Sequence, residues 1–444
     1  MDPAWQERVK LYQILGTLSL LFILYLNFCD DLPFPTVVWQ SKMGFDRVNS
    51  TRFVIQSRGQ DEELTMYVNG WNSYWLMQES VWSSSRSMVS QMMKQGSELG
   101  LTVCRTWAFS DGDGANALQK RPGVFDERVF KGLDYVIVEA RRQKVRLILS
   151  LVNNLDAFGG KDQYVRWAQE AGKDVSYSAD SFFSDSTIKH YYKAYIKAIV
   201  TRKNTISWVK YSDEPAIFAW ELINEPRCAS NSSAPALQAW ITEMAAYIKS
   251  LDQKHLVTVG TEGFYGLNTL SKSGINPGEW ASSLGSDFIQ NSAIADIDFA
   301  SVHAYPESWL LDNGVEAAAK FLTTWMDSHI SDGQNILKKP VLFTEVGSSL
   351  GRKPKRSPDR ELLFKTVYDN IYNSAAKTEA GSGALIWQLL VHGTEGYSDE
   401  YSFIASDHPA IYQMIKHQSC LLVSLFTTNH TQAEHHGNTC SDQP

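Results

Sequence analysis

Glu225 closes the apolar run FAWELINEP (Phe218 to Pro226), and Glu345 closes another, PVLFTEVGS (Pro340 to Ser348). Two carboxyl groups presented by separate strand ends are what hydrolysis of a glycosidic bond requires. If configuration is retained, one is the acid/base and the other a nucleophile about 5–5.5 Å away. If it is inverted, the gap is wider, because a water must fit between them. The two outcomes differ in that separation, which belongs to the fold rather than to the sequence.

The residues around the two glutamates suit the same chemistry. Asn224 directly precedes Glu225 and offers an amide to a sugar hydroxyl, a bond that tightens in the transition state. Arg105, in CRTWAF (Cys104 to Phe109), offers a cation that keeps one carboxylate ionised. His303 and Tyr305 flank Ala304 in VHAYP, so strand alternation points both the same way. Trp107 and Trp387 offer flat faces for the apolar side of a sugar ring. Taken singly, each has a plainer reading: Glu225 as a strand exit, Arg105 as a structural ion pair, either tryptophan as core. Glu221 shares the strand parity of Glu225 and is expected to play a structural part beneath the site. Glu262 ends a run of its own, HLVTVGTEG, and rivals either glutamate.

Eight short apolar runs carry these residues: Met66 to Tyr74, Leu101 to Phe109, Val145 to Asn154, Ala216 to Pro226, His255 to Gly263, Asp298 to Pro306, Pro340 to Ser348 and Gly383 to Leu390. Segments of helical pattern lie between them. Asp126 to Lys144 opens on an N-cap residue and closes on basic ones, while Ala234 to Lys254 and Ser357 to Lys377 repeat apolar residues at i, i+3, i+4 and i+7. Eight buried strands alternating with helices predict an α/β fold, a single (β/α)8 TIM barrel. Side chains that do chemistry then gather at the carboxyl ends of the strands. Here those ends supply Asn72, then Arg105 and Trp107, Asn153 and Asn154, Asn224 and Glu225, Glu262, His303 and Tyr305, Glu345, and Trp387. A mouth lined this way is a polar cleft with aromatic walls.

The 444 residues are 43% hydrophobic, 20% charged and 12% aromatic, a globular composition rich in rings. The net charge of −8 is spread without a basic stripe, which argues against a nucleic-acid partner. No group has zinc-ligand spacing, and His435 and His436 sit in a polar tail, so neither metal nor other cofactor is expected. Arg8 and Lys10 precede ILGTLSLLFILYL (Ile14 to Leu26), which reads as a secretory signal, cleaved or retained as an anchor. A membrane is a partner only in the second case. Sequons at Asn49, Asn231 and Asn429 fit the secretory route. With Cys29 beside the signal, Cys104, Cys228, Cys420 and Cys440 are left to pair in one of three ways. The expected organisation is residues 1–29 signal or anchor, 30–52 extension, 53–417 catalytic barrel and 418–444 polar tail.

The motifs WELINEP, VHAYP, FTEVGSS, CRTWAF and IWQLL resemble those of glycoside hydrolase family 5. VNGWNSYWLM (Val68 to Met77) and LSLVNNLDAFGG (Leu149 to Gly160) narrow the likeness to plant endo-β-1,4-mannanases, over roughly Phe53 to His417. The resemblance implies that Glu225 is the proton donor and then the base, and that Glu345 is the nucleophile. It also implies substrate contacts from Trp107, Asn224, Tyr305 and Trp387, with Arg105 and His303 supporting the carboxylates. The implied reaction is metal-free, retaining cleavage of internal β-1,4-mannosidic bonds in mannan, glucomannan and galactomannan, by a protein of the cell wall or one anchored in the Golgi. Some relatives also transfer the glycosyl unit to another saccharide. One departure is Val346, where relatives usually carry Phe after the nucleophile. Two other readings remain at this stage: a β-1,4-glucan endohydrolase of the same family, and a wall-polysaccharide-binding pseudoenzyme. The latter would usually lack one of the two glutamates, and both are present.

Overall fold

The computed structural model describes residues 43–56, 63–229, 235–310, 314–349 and 357–427. The N-terminal apolar segment, Cys29, Asn231, Asn429, His435, His436 and Cys440 lie outside them. Among the described residues no helix is long and apolar enough to cross a membrane.

Eight parallel strands form the barrel: β1 (Val68–Asn72), β2 (Val103–Trp107), β3 (Arg146–Ser150), β4 (Ile217–Asn224), β5 (Leu256–Gly260), β6 (Ala300–Ala304), β7 (Val341–Val346) and β8 (Gly381–Ile386). Every residue in them is buried, as expected of strands covered on both faces, and the eight fall within or against the eight apolar runs. Hydrogen bonds order the sheet β5-β4-β3-β2-β1-β8-β7-β6. Side chains help close its remaining seam. The Thr258 and Thr261 hydroxyls donate to the Phe299 and Ser301 carbonyls at 2.9 and 2.7 Å, beside the Asp298 N–H bond to the Val257 carbonyl at 2.8 Å. The expected TIM barrel is the observed fold.

The lumen is layered. Its lower half is apolar, with Val68, Val103, Ile148, Phe218, Ala219, Leu256, Phe299, Leu342 and Leu385 packed together. A three-stranded antiparallel sheet (Asp46–Asn49, Arg52–Gln56, Glu63–Met66) supplies Phe53 and Met66 to this layer from below. The Phe53 ring stands edge-on to Phe218 and Phe299, at 5.0 and 5.2 Å between centroids. Above this plug the lumen is polar and charged.

Two expected boundaries move. The strand Asp46–Asn49 pairs with Arg52–Gln56, and Asp46 accepts from Arg146 Nε at 2.6 Å, so the folded body starts ahead of Phe53. At the other end the helix Pro409–Thr427 continues past His417, anchored where Asn69 Nδ2 donates to the Ile415 carbonyl and to Ser419 Oγ at 3.1 and 2.9 Å. The full cysteine pairing is not realised either. Cys420 is disulfide-bonded, but Cys104 is a free thiol sealed inside β2, and burial pushes its pKa well up.

Local irregularities aim the polar layer. Between β4 and β5, Thr258 pairs with Glu221 but Gly260 pairs with Asn224, so β4 carries an extra residue there. Glu221 and Asn224 consequently both face the lumen, whereas parity had grouped Glu221 with Glu225. On β7, Leu342 faces the lumen, and strict alternation would turn Glu345 outward. The register shift between Val302/Phe343 and His303/Glu345 brings it in.

Gly260 is the close neighbour of this arrangement: a Cβ there would lie 2.7 Å from the carboxyl carbon of Glu221. Because Glu221 is held in place, Gly260→Ala is expected to destabilise the protein by about 1–3 kcal/mol. Calorimetry should show a lowered thermal midpoint. An unchanged midpoint would mean Glu221 is free to move aside.

Candidate active site

Arg105 rises from β2 into the centre of the polar layer, fully buried. Its Nε and Nη2 grip Glu221 at 2.9 and 2.7 Å. Nη1 donates to Glu345 Oε1 at 2.5 Å and to Asn72 Oδ1 at 3.1 Å, and Nη2 also reaches Asn224 Oδ1 at 2.6 Å. The Tyr305 hydroxyl donates to the other oxygen of Glu345. Glu345 is therefore solvated by a guanidinium and a phenol, the setting of a carboxylate kept ionised.

Glu225 is differently placed. It follows β4 in a left-handed backbone conformation, φ +48°, fixed by its N–H bond to the Gly260 carbonyl at 2.7 Å. Its Oε1 faces His303 Nδ1 at 2.9 Å, and the same nitrogen lies 3.6 Å from Glu345 Oε2. One ligating atom each from Glu225, His303 and Glu345 lie within 4.8 Å of one another. Such a spacing also suits a metal triad, but Arg105 already supplies a cation to Glu345. Burial raises the pKa of both carboxyls. At Glu345, His303, Arg105 and the Tyr305 hydroxyl pull the other way while the Glu225 charge adds to the rise, and at Glu225 the cations of Arg227 and Arg105 oppose burial. Burial lowers the pKa of His303, which makes its imidazole neutral.

The Asn224 amide is oriented on both sides. Its oxygen accepts from Arg105 and its Nδ2 donates to Asn153 Oδ1 at 3.1 Å, leaving a second N–H for a ligand. Trp387 and Trp107 stand 5.8 Å apart, and Tyr74 lies parallel to Trp387 within 13° at 6.0 Å. The peptide between Trp387 and Gln388 is cis. Every core site residue named from the sequence thus converges on one cleft. Glu262 does not compete for a catalytic role. Arg227 Nε and Nη2 bind it at 2.9 and 2.5 Å, while burial and the Glu225 charge push its pKa up to about 7. Val346 alternates with Glu345 and packs in the outer core, and its carbonyl receives the Trp387 N–H at 2.9 Å.

A family model described as GH family 5 β-mannosidase-like matches residues 44–395. The chain belongs to glycoside hydrolase family 5. It is 49% identical over 97% of its length to mannan endo-1,4-β-mannosidase 2 of Arabidopsis thaliana, of which it covers 97%. Against mannan endo-1,4-β-mannosidase 2 of Oryza sativa subsp. japonica it is 48% identical, over 94% of this chain and 95% of the relative. Among solved structures, the endo-1,4-β-D-mannanase of Thermotoga petrophila superimposes with a TM-score of 0.68 at 31% identity, covering 80% of this chain and all of that one. This family 5 protein is accordingly a glycoside hydrolase.

Asp399 is the functional residue that the sequence did not reveal. Its Oδ2 accepts from the Trp387 indole Nε1 at 2.7 Å, while Oδ1 is fixed by the N–H groups of Tyr401 and Ser402 at 2.9 Å and by the Ser402 hydroxyl at 2.7 Å. It lies in a loop without periodicity, and no neighbouring motif marks it. Tyr74 is similar: its stacking on Trp387 depends on a fold-level contact between the start and the end of the barrel. Asp399→Ala should release the Trp387 ring and raise KM about 3- to 10-fold for an oligosaccharide substrate, the range set by losing one hydrogen bond of ordinary net strength, about 0.7–1.4 kcal/mol, with a smaller change in kcat. Steady-state kinetics would check this, and an unchanged KM would mean that packing alone orients Trp387.

Proposed function

We propose that this protein is a retaining endo-β-1,4-mannan hydrolase in which Glu345 is the nucleophile and Glu225 the acid/base. The observation that carries this reading is the approach of the Glu225 and Glu345 carboxyls to within 4.8 Å, beside only one of which stands a buried arginine. That separation suits the retaining geometry, since an inverting pair needs about 6.5–9.5 Å. In the first step an oxygen of Glu345 attacks the anomeric carbon. The bond to the leaving sugar breaks, and Glu225 gives its proton to the departing oxygen. In the second step water attacks the same carbon, Glu225 takes a proton from it, and the bond to Glu345 breaks. Asn224 and Tyr305 flank the sugar, and Trp387 and Trp107 hold its apolar face.

Mannan as the substrate class is supported by the plant relatives, each named a mannan endo-1,4-β-mannosidase, at 48–49% identity over nearly the whole chain. Mannan, glucomannan and galactomannan are therefore the substrates to test. The same fold can cut β-1,4-glucan, and reducing ends released from mannan, glucomannan and carboxymethylcellulose separate the two. Inert mannan with strong cleavage of the cellulose derivative would overturn the mannan assignment. Glu345→Ala should lower turnover about 10⁴-fold or more while mannan binding survives. A near-normal rate would remove Glu345 from the nucleophile's role.

The reaction also sets a pH dependence. Cleavage needs Glu225 protonated, so activity falls as pH rises through its pKa, which burial raises and Arg227 pulls back down. Arg227→Gln removes that cation, and the alkaline limb of kcat/KM on a manno-oligosaccharide should then move to higher pH. A limb that stays in place or moves down contradicts the assignment of Glu225 as the acid.

A secretory destination belongs to the same proposal. The N-terminal apolar segment supports entry to that route, and Asn49, exposed on a strand, is accessible to glycan addition. The wall is where mannan would be met. Sequencing the mature N-terminus distinguishes a cleaved signal from an anchor.

A further inference from the structure

We infer that Trp280 is the platform of a binding subsite for the leaving-group half of the polysaccharide, at the outer end of an aromatic line that begins beside the nucleophile. The inference rests on the retaining-glycosidase reading and adds a residue that reading does not use. Tyr305, whose hydroxyl binds Glu345, lies 6.4 Å from the Trp309 ring. Trp309 lies 5.4 Å from Phe264, and Phe264 meets Trp280 edge-on at 5.2 Å. Phe264 is buried and Trp309 half-buried, whereas Trp280 is 44% exposed. The line therefore leads outward from the chemistry and ends in an open indole.

Two contacts make this indole a built feature. Gly278 passes against it so closely that a Cβ there would lie 2.7 Å from both Cδ1 and Nε1, so the ring is braced from behind. The loop carrying it is also tied to the acid/base segment. Cys228 donates its N–H to the Leu284 carbonyl at 2.9 Å, and a Cβ on Gly285, φ +84°, would lie 2.3 Å from the Cys228 carbonyl oxygen. A ring fixed before the sugar arrives loses little freedom on binding.

Which half of the substrate it meets follows from the proton. Glu225 protonates the departing oxygen, so the leaving sugar lies toward the loops after β4, β5 and β6, where Trp280 stands. Trp387, Trp107 and Tyr74 form the opposite wall and take the sugar that stays on the enzyme. An indole on the leaving side contributes only when the chain is long enough to reach it.

The test compares kcat/KM on mannohexaose with kcat/KM on 4-nitrophenyl β-mannobioside, whose aryl group ends the chain next to the scissile bond. For Trp280→Ala the ratio of the two should fall about 3- to 10-fold, the range expected from losing one aromatic contact. Cleavage of the hexaose should shift toward positions that leave shorter released fragments, and Trp280→Phe should restore part of the ratio. Trp208→Ala removes another exposed indole, 53% accessible, from the loop before β4, at the other end of the barrel, and should leave the ratio unchanged. An unchanged ratio for Trp280→Ala, or an equal loss on both substrates, overturns the subsite. A wild-type protein inert on mannan would overturn the mannan assignment instead, and the same ratio on cello-oligosaccharides would then decide the role of Trp280.

Discussion

A single guanidinium organises the mouth of this barrel. Arg105 bonds to Glu221, Glu345, Asn72 and Asn224, which come from β4, β7, β1 and β4 again, while it is itself rooted in β2. A buried charge is tolerated only when its partners match its geometry, and the flat fork of arginine matches two carboxylates and two amide oxygens at once. A lysine would place one charge at one point and leave part of this set unbound. The same fork also sets the charge count. Glu221 and Glu345 already exceed the one cation between them, so a further negative charge on Glu225 is disfavoured in that volume. At Glu225, burial and the Glu221 charge raise the pKa, while Arg227 and Arg105 lower it.

Regular strand geometry alone would not aim these groups. β4 and β7 break register where Asn224 and Glu345 must enter the lumen, and Glu225 adopts a left-handed backbone held by Gly260 and by the Arg227 N–H bond to Asn154 Oδ1 at 3.1 Å. Gly347 makes a different concession, to space. A Cβ there would lie 2.3 Å from the Tyr305 ring, so a side chain at this position would drive the phenol off Glu345. Register shifts also occur in the apolar plug beneath, at Leu147/Ile148 and Val341/Leu342, so irregularity is not confined to the polar layer; what differs in the polar layer is that it places polar side chains.

This division explains what the sequence discloses. Buried parallel strands must be apolar runs, so a polar residue at the end of one stands out, and the eight ends point to Arg105, Asn224, Glu225, His303, Tyr305, Glu345 and Trp387 without any contact information. Parity inside a run is a weaker signal, because one inserted residue inverts it, as Glu221 and Glu345 illustrate. Asp399 and Tyr74 leave no trace, since their roles depend on which loops meet across the barrel. The helix end at Thr427 was masked by composition: CLLVSLF continues the helical apolar pattern, but the polar residues that follow dominate the region. The three-stranded sheet at the bottom leaves no sequence signal because its strands are too short for alternation to register.

His303 shows how Glu225, in the proposed reaction, can pass from acid to base without rearrangement. Its Nδ1 faces Glu225 at 2.9 Å and Glu345 at 3.6 Å, while Nε2 is buried with no protein partner among the described residues. An orphaned N–H costs more than an orphaned lone pair, so the hydrogen belongs on Nδ1, between the two glutamates. A protonated imidazole would be a second cation in the cluster and would keep Glu225 ionised, removing the acid. Burial prevents that by lowering the pKa of the ring. A neutral donor can instead serve Glu225 both as acid and, after the proton has left, as base, and it moves no charge of its own. The pair depends on one fixed cation below it and one neutral hydrogen-bond donor beside it. Exchanging the character of either would leave both glutamates in place and the proton on the wrong one.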